Sequence, residues 1–406
     1  MATIRPFRAH RPPATCIARV ASPPYDVVST KEARQLAAGN PASYLHVSRP
    51  EIDLPEGTDE HDDRVYAQGA VNLESFVERG VLVQESAPRF YAYSQKMGQH
   101  VQTGLVACAS VDDYVADRIK KHEKTRADKE DDRTKHIDVL GAHDEPVFLT
   151  YRAVPEIDVL MNRVVTAPPL YDFITVDEVR HTMWAIDSIL QPQLIERFAA
   201  VDTLYVADGH HRSAAAVRVH ERRRGQPGEH DVFLVVVFPH DQMQIMAYNR
   251  VVRDSKGRSP EELLAAFRER FDVTKAAQPA PREPKSFGLF LGGTWYLLRA
   301  KPSMLTPADA SDPVASLDAS ICQSQILAPM FGITDPRRDK NVDFVGGIRG
   351  STELEKLVGE GWTLALHLFP TSMEQLMAVS DAGLLMPPKS TWFEPKLRSG
   401  LFVHLF

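Results

Sequence analysis

The segment Leu-Tyr-Val-Ala-Asp-Gly-His-His-Arg at 204–212 leaves the backbone the fewest choices. Residues 203–206 form a short apolar run that reads as a buried strand. Asp208-Gly209 is a turn signal, and residues 213–221, alanine-rich and free of Gly and Pro, read as a helix. A strand that turns straight into a helix leaves backbone N–H groups unpaired at the helix start. Together with the positive end of the helix dipole they form a seat for an anion such as phosphate. The same turn carries one carboxylate, two imidazoles and one guanidinium. The competing reading makes Asp208 a plain helix cap with solvated neighbours. So dense a run of ionisable groups favours a site.

A chain of 406 residues has room for two or three domains, each with its own core. Its 43% hydrophobic and 25% charged content is that of an ordinary globular protein. The net charge of −7 and the lack of a basic stripe argue against general nucleic-acid binding. Glu221-Arg222-Arg223-Arg224 reads as a solvated helix end. Cys16, Cys108 and Cys322 are too few and too scattered for a disulfide framework, which suits a reducing compartment. The N-terminus carries Arg5, Arg8 and Arg11 without an apolar core, unlike a secretory signal, and no apolar run reaches membrane-spanning length. The expectation is a cytoplasmic protein.

Along the chain, 30–36 and 65–78 predict helices, and 90–95 with 103–108 predict a hairpin across Met97-Gly98. Residues 146–151 predict a strand, and 177–190 and 192–200 predict mostly helix. The unbroken apolar run 232–238 predicts a strand buried on both faces, with 244–248 continuing the same sheet. The polar stretch 253–257 is taken as a domain boundary. Ser259-Pro260-Glu261-Glu262 then opens a helix, and a second hairpin crosses Gly292-Gly293. The last section predicts helix over 318–331, strand over 362–369 and helix over 372–382, followed by Met386-Pro-Pro-Lys-Ser-Thr391.

Walker A, GxGxxG, protein-kinase and GxSxG signatures are absent, and no His/Cys spacing suggests zinc. Three polar clusters remain. At 121–133, Glu123 sits among Lys121, Lys124, Arg126, Lys129 and Arg133, cations that would keep its carboxylate ionised for work as a general base. The alternative there is a solvated charged helix. The second cluster is the turn at 208–212. In the third, Pro387-Pro388 stiffens the backbone before Lys389, Ser390 and Thr391, a preset anion clamp or else an ordinary proline-rich turn.

Landmarks along nearly the whole chain resemble a bacterial family of uncharacterised proteins, DUF1015. They are Pro23-Pro-Tyr-Asp26, Asn40-Pro41, His46-Val-Ser-Arg-Pro-Glu51, His122-Glu-Lys-Thr125, Ala207-Asp-Gly-His-His-Arg212 and Met386-Pro-Pro-Lys-Ser-Thr391. More distantly, the order His122-Glu123, Asp208 to Arg212, Pro388-Lys389-Ser390-Thr391 resembles archaeal free-serine kinases, whose fold is shared with ParB and sulfiredoxin. That resemblance implies an α+β fold: a ParB/sulfiredoxin-like mixed-sheet core at 117–252, an N-terminal α+β region at 1–116 and a closing C-terminal α+β domain at 253–406. The spacing between Glu123 and Asp208 exceeds that of the kinases and implies an insertion near 140–190. Trp392 and Phe393 stand where basic residues follow in the kinases.

The resemblance also implies roles. Glu123, Asp208 and His211 would be catalytic, with Glu123 the base on the acceptor hydroxyl. Gly209, His210, Arg212 and Ser213 would cradle nucleotide phosphate. Lys389, Ser390, Thr391 and Arg126 would hold the substrate, and Asp208 would contact Mg²⁺. The implied activity is phosphate transfer from ATP or ADP to free L-serine or a related hydroxy amino acid, with the nucleotide and the amino acid as partners. A homodimer is left open, and neither nucleic acid nor membrane is expected. The alternative is a ParB-like nucleotide switch without small-molecule kinase activity. A sulfiredoxin-like reductase would need a cysteine just before His211-Arg212, where Gly209 and His210 stand.

Overall fold

The computed structural model describes residues 2–304 and 311–406. The chain divides into two units, Met1–Met243 with Pro395–Phe406, and Gln244–Glu394.

The first unit is built on a nine-stranded mixed sheet. Its strands in chain order are β1 (Ile4–Arg5), β2 (Tyr91–Met97), β3 (His100–Ser110), β4 (Ile119–Lys120), β5 (Val147–Tyr151), β6 (Tyr171–Ile174), β7 (Arg180–Ala185), β8 (Leu204–Asp208) and β9 (Val232–Pro239). Across the sheet the order is β4-β8-β5-β9-β3-β2-β7-β6, with β1 on β3. β8 runs parallel to β4 and antiparallel to β5, β9 runs parallel to β5, and the remaining pairs are antiparallel. Every residue of β9 is buried, as its continuous apolar sequence requires of a central strand. The β2–β3 hairpin turns through Gly98 at φ +60°.

Helix Asp63–Glu78 starts on an Asp62 cap. Ala127–Leu140, called α1 here, ends on Gly141 at φ +63°, the left-handed stop that glycine provides. His210–Arg222, called α2, follows β8 directly. The last dozen residues return to this unit and are held there by polar contacts. Arg398 binds Asp177, the Ser399 hydroxyl donates to Glu145 (2.6 Å), and His404 meets Glu229 (3.0 Å).

The second unit carries a six-stranded antiparallel sheet: β10 (Tyr248–Val252), β11 (Phe271–Lys275), β12 (Ser286–Leu291), β13 (Thr294–Ala300), β14 (Val342–Gly346) and β15 (Leu364–Leu368), ordered β11-β13-β12-β15-β10-β14. Its hairpin turns through Gly292 and Gly293, at φ +57° and +74°. Ser259 and Ser372 each open a helix with a reciprocal capping box.

An α+β class is what the two mixed and antiparallel sheets make. Four expectations change. Segment 1–116 and residues 117–239 share one sheet, because β3 and β9 are paired neighbours, while residues 248–252 belong to the second unit's sheet. The stretch 140–190 is part of that sheet and supplies β5, β6 and β7. Residues 180–185 form a strand on β2 where helix was expected. Burial alternates at its start, with His181 fully enclosed and bonded to the Tyr93 hydroxyl (2.8 Å). Gln244–Met246 leaves the first sheet and pairs with Trp392–Glu394 in the second unit.

Candidate functional site

β8 breaks register at Ala207, between Val206 and Asp208, and that irregularity ends the ladder where the chemistry begins. Gly209 follows at φ +100° as the residue before α2. A side chain there would be strained, and its Cβ would lie 3.1 Å from Nε of Arg212. No side chain caps α2, and its first turn holds no acid.

Asp208 projects into a cleft lined by Pro24, Pro146, Phe148, Arg212, Lys396 and Ser399. Its Oδ2 accepts from Nζ of Lys396 at 2.9 Å, and Nη2 of Arg212 stands 4.0 Å from Oδ1. Burial alone would push this carboxyl up. Lys396 and then Arg212 outweigh it, holding Asp208 well below the usual carboxylate range. Arg212 is itself fixed by donating to the carbonyl of Pro146. The carbonyl of Lys396 accepts from Gln95 (2.8 Å), which ties that residue's backbone to β2.

The two histidines part company, as neighbours about 100° apart on a helix must. His210 turns inward, 4% exposed, with Nε2 3.4 Å from Nε2 of His122 and the rings edge to face. Burial lowers His122 to about 4 and drives His210 well below its ordinary value, so both are neutral at pH 7. His210 is thus a buried contact with the 121–126 segment and no cation for a phosphate cradle. His211 turns outward, and its Nε2 accepts from the backbone N–H of Arg126 (3.1 Å). These two contacts dock the loop 121–126, with Glu123 inside it, on the 208–212 turn.

Other expected site residues stand differently. Ser213 is fully buried and its hydroxyl donates to the Gly209 carbonyl (3.2 Å). The Arg126 guanidinium is exposed and paired with Asp128 (2.7 Å). Lys389, Ser390 and Thr391 belong to the second unit, whereas Glu123 and Asp208 belong to the first. Lys389 takes φ +56°, its Nζ lies 5.5 Å from the centre of the Tyr248 ring, and its carbonyl accepts from Arg250 (3.0 Å). The Ser390 hydroxyl donates to the Pro387 carbonyl (2.7 Å). Among the described residues no group of three or more His, Cys, Asp or Glu could hold a metal ion, and no helix is long and apolar enough to cross a membrane.

Sequence reasoning missed Lys396, a lone lysine after Pro395 with no local pattern to mark it. It also missed the buried polar layer behind Arg212. There Glu145 accepts from the Tyr25 N–H (3.1 Å) and from Ser399, His136 meets Asp144 (3.1 Å), and Arg133 stacks on the Tyr25 ring (4.0 Å). Burial first, then the Asp144 charge, push Glu145 up to about 7. The Pro23–Asp26 landmark marks one edge of this layer, without a role being legible from it.

A family model described as protein of unknown function (DUF1015) matches residues 4–320. The chain belongs to that family. No curated protein matches this DUF1015 member. Among solved structures it is similar to a mutant free serine kinase in complex with AMP (10% identity, TM-score 0.38, covering 74% of this chain and 92% of that one). It is also similar to a conserved hypothetical protein from Pyrococcus furiosus (12%, 0.37, 74% and 95%) and to SbnI with C-terminal truncation from Staphylococcus aureus (13%, 0.39, 74% and 87%). At that level of likeness none of the three says what this DUF1015 member binds.

Proposed function

We propose that this protein is a small-molecule kinase that moves phosphate from ATP or ADP to the hydroxyl of free L-serine or a related hydroxy amino acid. The observation that carries the reading is the uncapped start of α2 beside Arg212 and Lys396, with the Glu123 loop docked on the same turn. Phosphoryl transfer needs donors around charge spread over phosphate oxygens and a base at the acceptor. The N–H groups at 210–212, Arg212 and Lys396 would hold the phosphate. The acceptor oxygen bonds to phosphorus as the bond to the nucleotide's bridging oxygen breaks, and its proton passes to Glu123. His211 keeps the Glu123 loop in place through the N–H of Arg126. A ParB/sulfiredoxin-like core is part of the same proposal.

Mg²⁺ bound with the nucleotide would neutralise phosphate charge. A Mg²⁺–nucleotide complex keeps most of its ligands as phosphate and water, so Asp208 fits it as a single protein contact. Lys396 already occupies one oxygen of that carboxylate, and no full protein-built site is present among the described residues.

The test is phosphorus NMR on the purified chain with Mg²⁺, ATP or ADP, and L-serine. Formation of phosphoserine that Glu123→Gln abolishes supports the reading, and its absence with both nucleotides ends it. The second reading, a ParB-like nucleotide switch, is favoured by the substrate side. The Ser390 hydroxyl is spent on its own backbone and the Arg126 guanidinium on Asp128, so neither is poised to grip an amino acid. Slow hydrolysis unaffected by Glu123→Gln would select it.

A further inference from the structure

Pro24 lines the Asp208 cleft, but the neighbouring Tyr25 and residues 48–51 meet in a second polar cleft in the first unit. One wall carries Tyr25, Arg49 and Glu60; α1 supplies Lys129, Asp132 and Arg133. The cleft has three carboxylates, Glu51, Glu60 and Asp132, against three fixed cations, Arg49, Lys129 and Arg133. Most are already matched. Glu51 binds Nε of Arg49 at 2.8 Å, and Asp132 accepts from the Tyr66 hydroxyl (2.8 Å) and from Arg133 (2.8 Å).

What remains is one group of each sign. The Lys129 ammonium has no hydrogen-bond or ion-pair partner among the described residues. Glu60 is held only loosely, 3.4 Å from Arg49 and 3.7 Å from His61. A cleft whose charges cancel gives a bare anion or a bare cation little net attraction, since each meets a like charge beside its partner. A ligand that carries both charges satisfies both leftovers at once.

We propose that this cleft binds a small zwitterion with a carboxylate and an ammonium on a short spacer. The carboxylate meets Lys129, and the ammonium meets Glu60. The inference stands on this cleft alone, whether or not phosphate is transferred at the Asp208 turn. Arg133, stacked on Tyr25, also lines the buried pocket that holds Glu145 and Arg212, so it borders that pocket as well as this cleft.

Isothermal titration of the full chain with glycine, β-alanine, acetate, inorganic phosphate and ethylamine tests this. The expected result is binding of a zwitterion at least tenfold tighter than acetate, phosphate or ethylamine. Lys129→Met and Glu60→Gln, at side chains that are not deeply buried, each weaken it tenfold or more, while Asp208→Asn leaves it intact. The proposal is overturned if no zwitterion binds, or if acetate or phosphate binds as well as the zwitterion. Loss of binding in Asp208→Asn with retention in Lys129→Met would also overturn it, by placing the ligand in the other cleft.

Discussion

The turns at 208–212 and 387–391 look alike as sequence: each puts cations and hydrogen-bonding side chains directly after a stiff or abrupt backbone feature. The fold uses them in opposite ways. At the first, α2 starts without a cap, and the partner of Asp208 arrives from 188 positions away in Lys396. At the second, the Ser390 hydroxyl bonds to the Pro387 carbonyl three residues back, and the Lys389 carbonyl is held by Arg250. A polar cluster is available for chemistry only where its groups are not consumed by their own backbone, and short-range pattern does not report that consumption.

The strongest way to break the comparison is at the first turn. If Glu123 is the base, Glu123→Gln should lower the transfer rate by about 10²–10⁴-fold, the range for a positioned general base, with nucleotide affinity little changed. Single-turnover rates beside equilibrium binding would separate the two effects. A fall in affinity with an unchanged rate would make the 121–126 loop a binding element only.

Lys396→Met comes next. It leaves a partly buried Asp208 with Arg212 alone at 4.0 Å, and about 1–3 kcal/mol of stability should go, less than for a fully enclosed pair because the site is open to solvent on one side. The pH dependence gives the sign. A carboxyl held below its ordinary value stabilises the fold above the ordinary carboxylate range and loses that contribution as pH falls. The variant should therefore lose less stability on acidification than the parent, as urea midpoints at pH 7 and pH 3 would show.

Glu145 has the reverse sign. Raised to about 7 from 4.5, it favours the fold when protonated; that contribution is complete below 4.5 and is lost as pH climbs towards 7. Glu145→Gln keeps an oxygen for Ser399 and for the Tyr25 N–H, and should remove a slope of up to about 1.4 kcal/mol per pH unit in that window. Asp318, in the second unit, is raised to about 7 by burial and accepts from the Lys285 N–H (2.6 Å). Its amide variant should remove a separate slope. Urea titrations of both single variants and the double would show additive effects if the two units titrate independently.

What the chain disclosed in advance follows the same division between local and remote. The hairpins at Gly98 and Gly292-Gly293, the capped helix at Ser259 and the fully buried β9 each depend on signals within a few residues. β7 was hidden because His181 sits where alternation calls for an apolar residue, and its burial is made tolerable by hydrogen bonds to Tyr93 and Thr175. The docking of the 121–126 loop and the Lys396–Asp208 pair were hidden for the same reason. Each joins segments whose spacing says nothing about contact until the sheet order is known, and that order places β4 beside β8.

The smallest predicted effect tests the second turn. Ser390→Ala removes one hydrogen bond to a backbone carbonyl, from a side chain that is nearly buried. The stability cost should be about 1 kcal/mol. If the hydroxyl serves only its own turn, neither nucleotide affinity nor the apparent affinity for the amino acid should change. A Ser390→Ala variant that folds normally but binds serine tenfold more weakly would mean that the hydroxyl leaves Pro387 for the ligand. The two turns would then differ only in the unliganded protein, because the bond that closes the second one would be a latch that substrate opens.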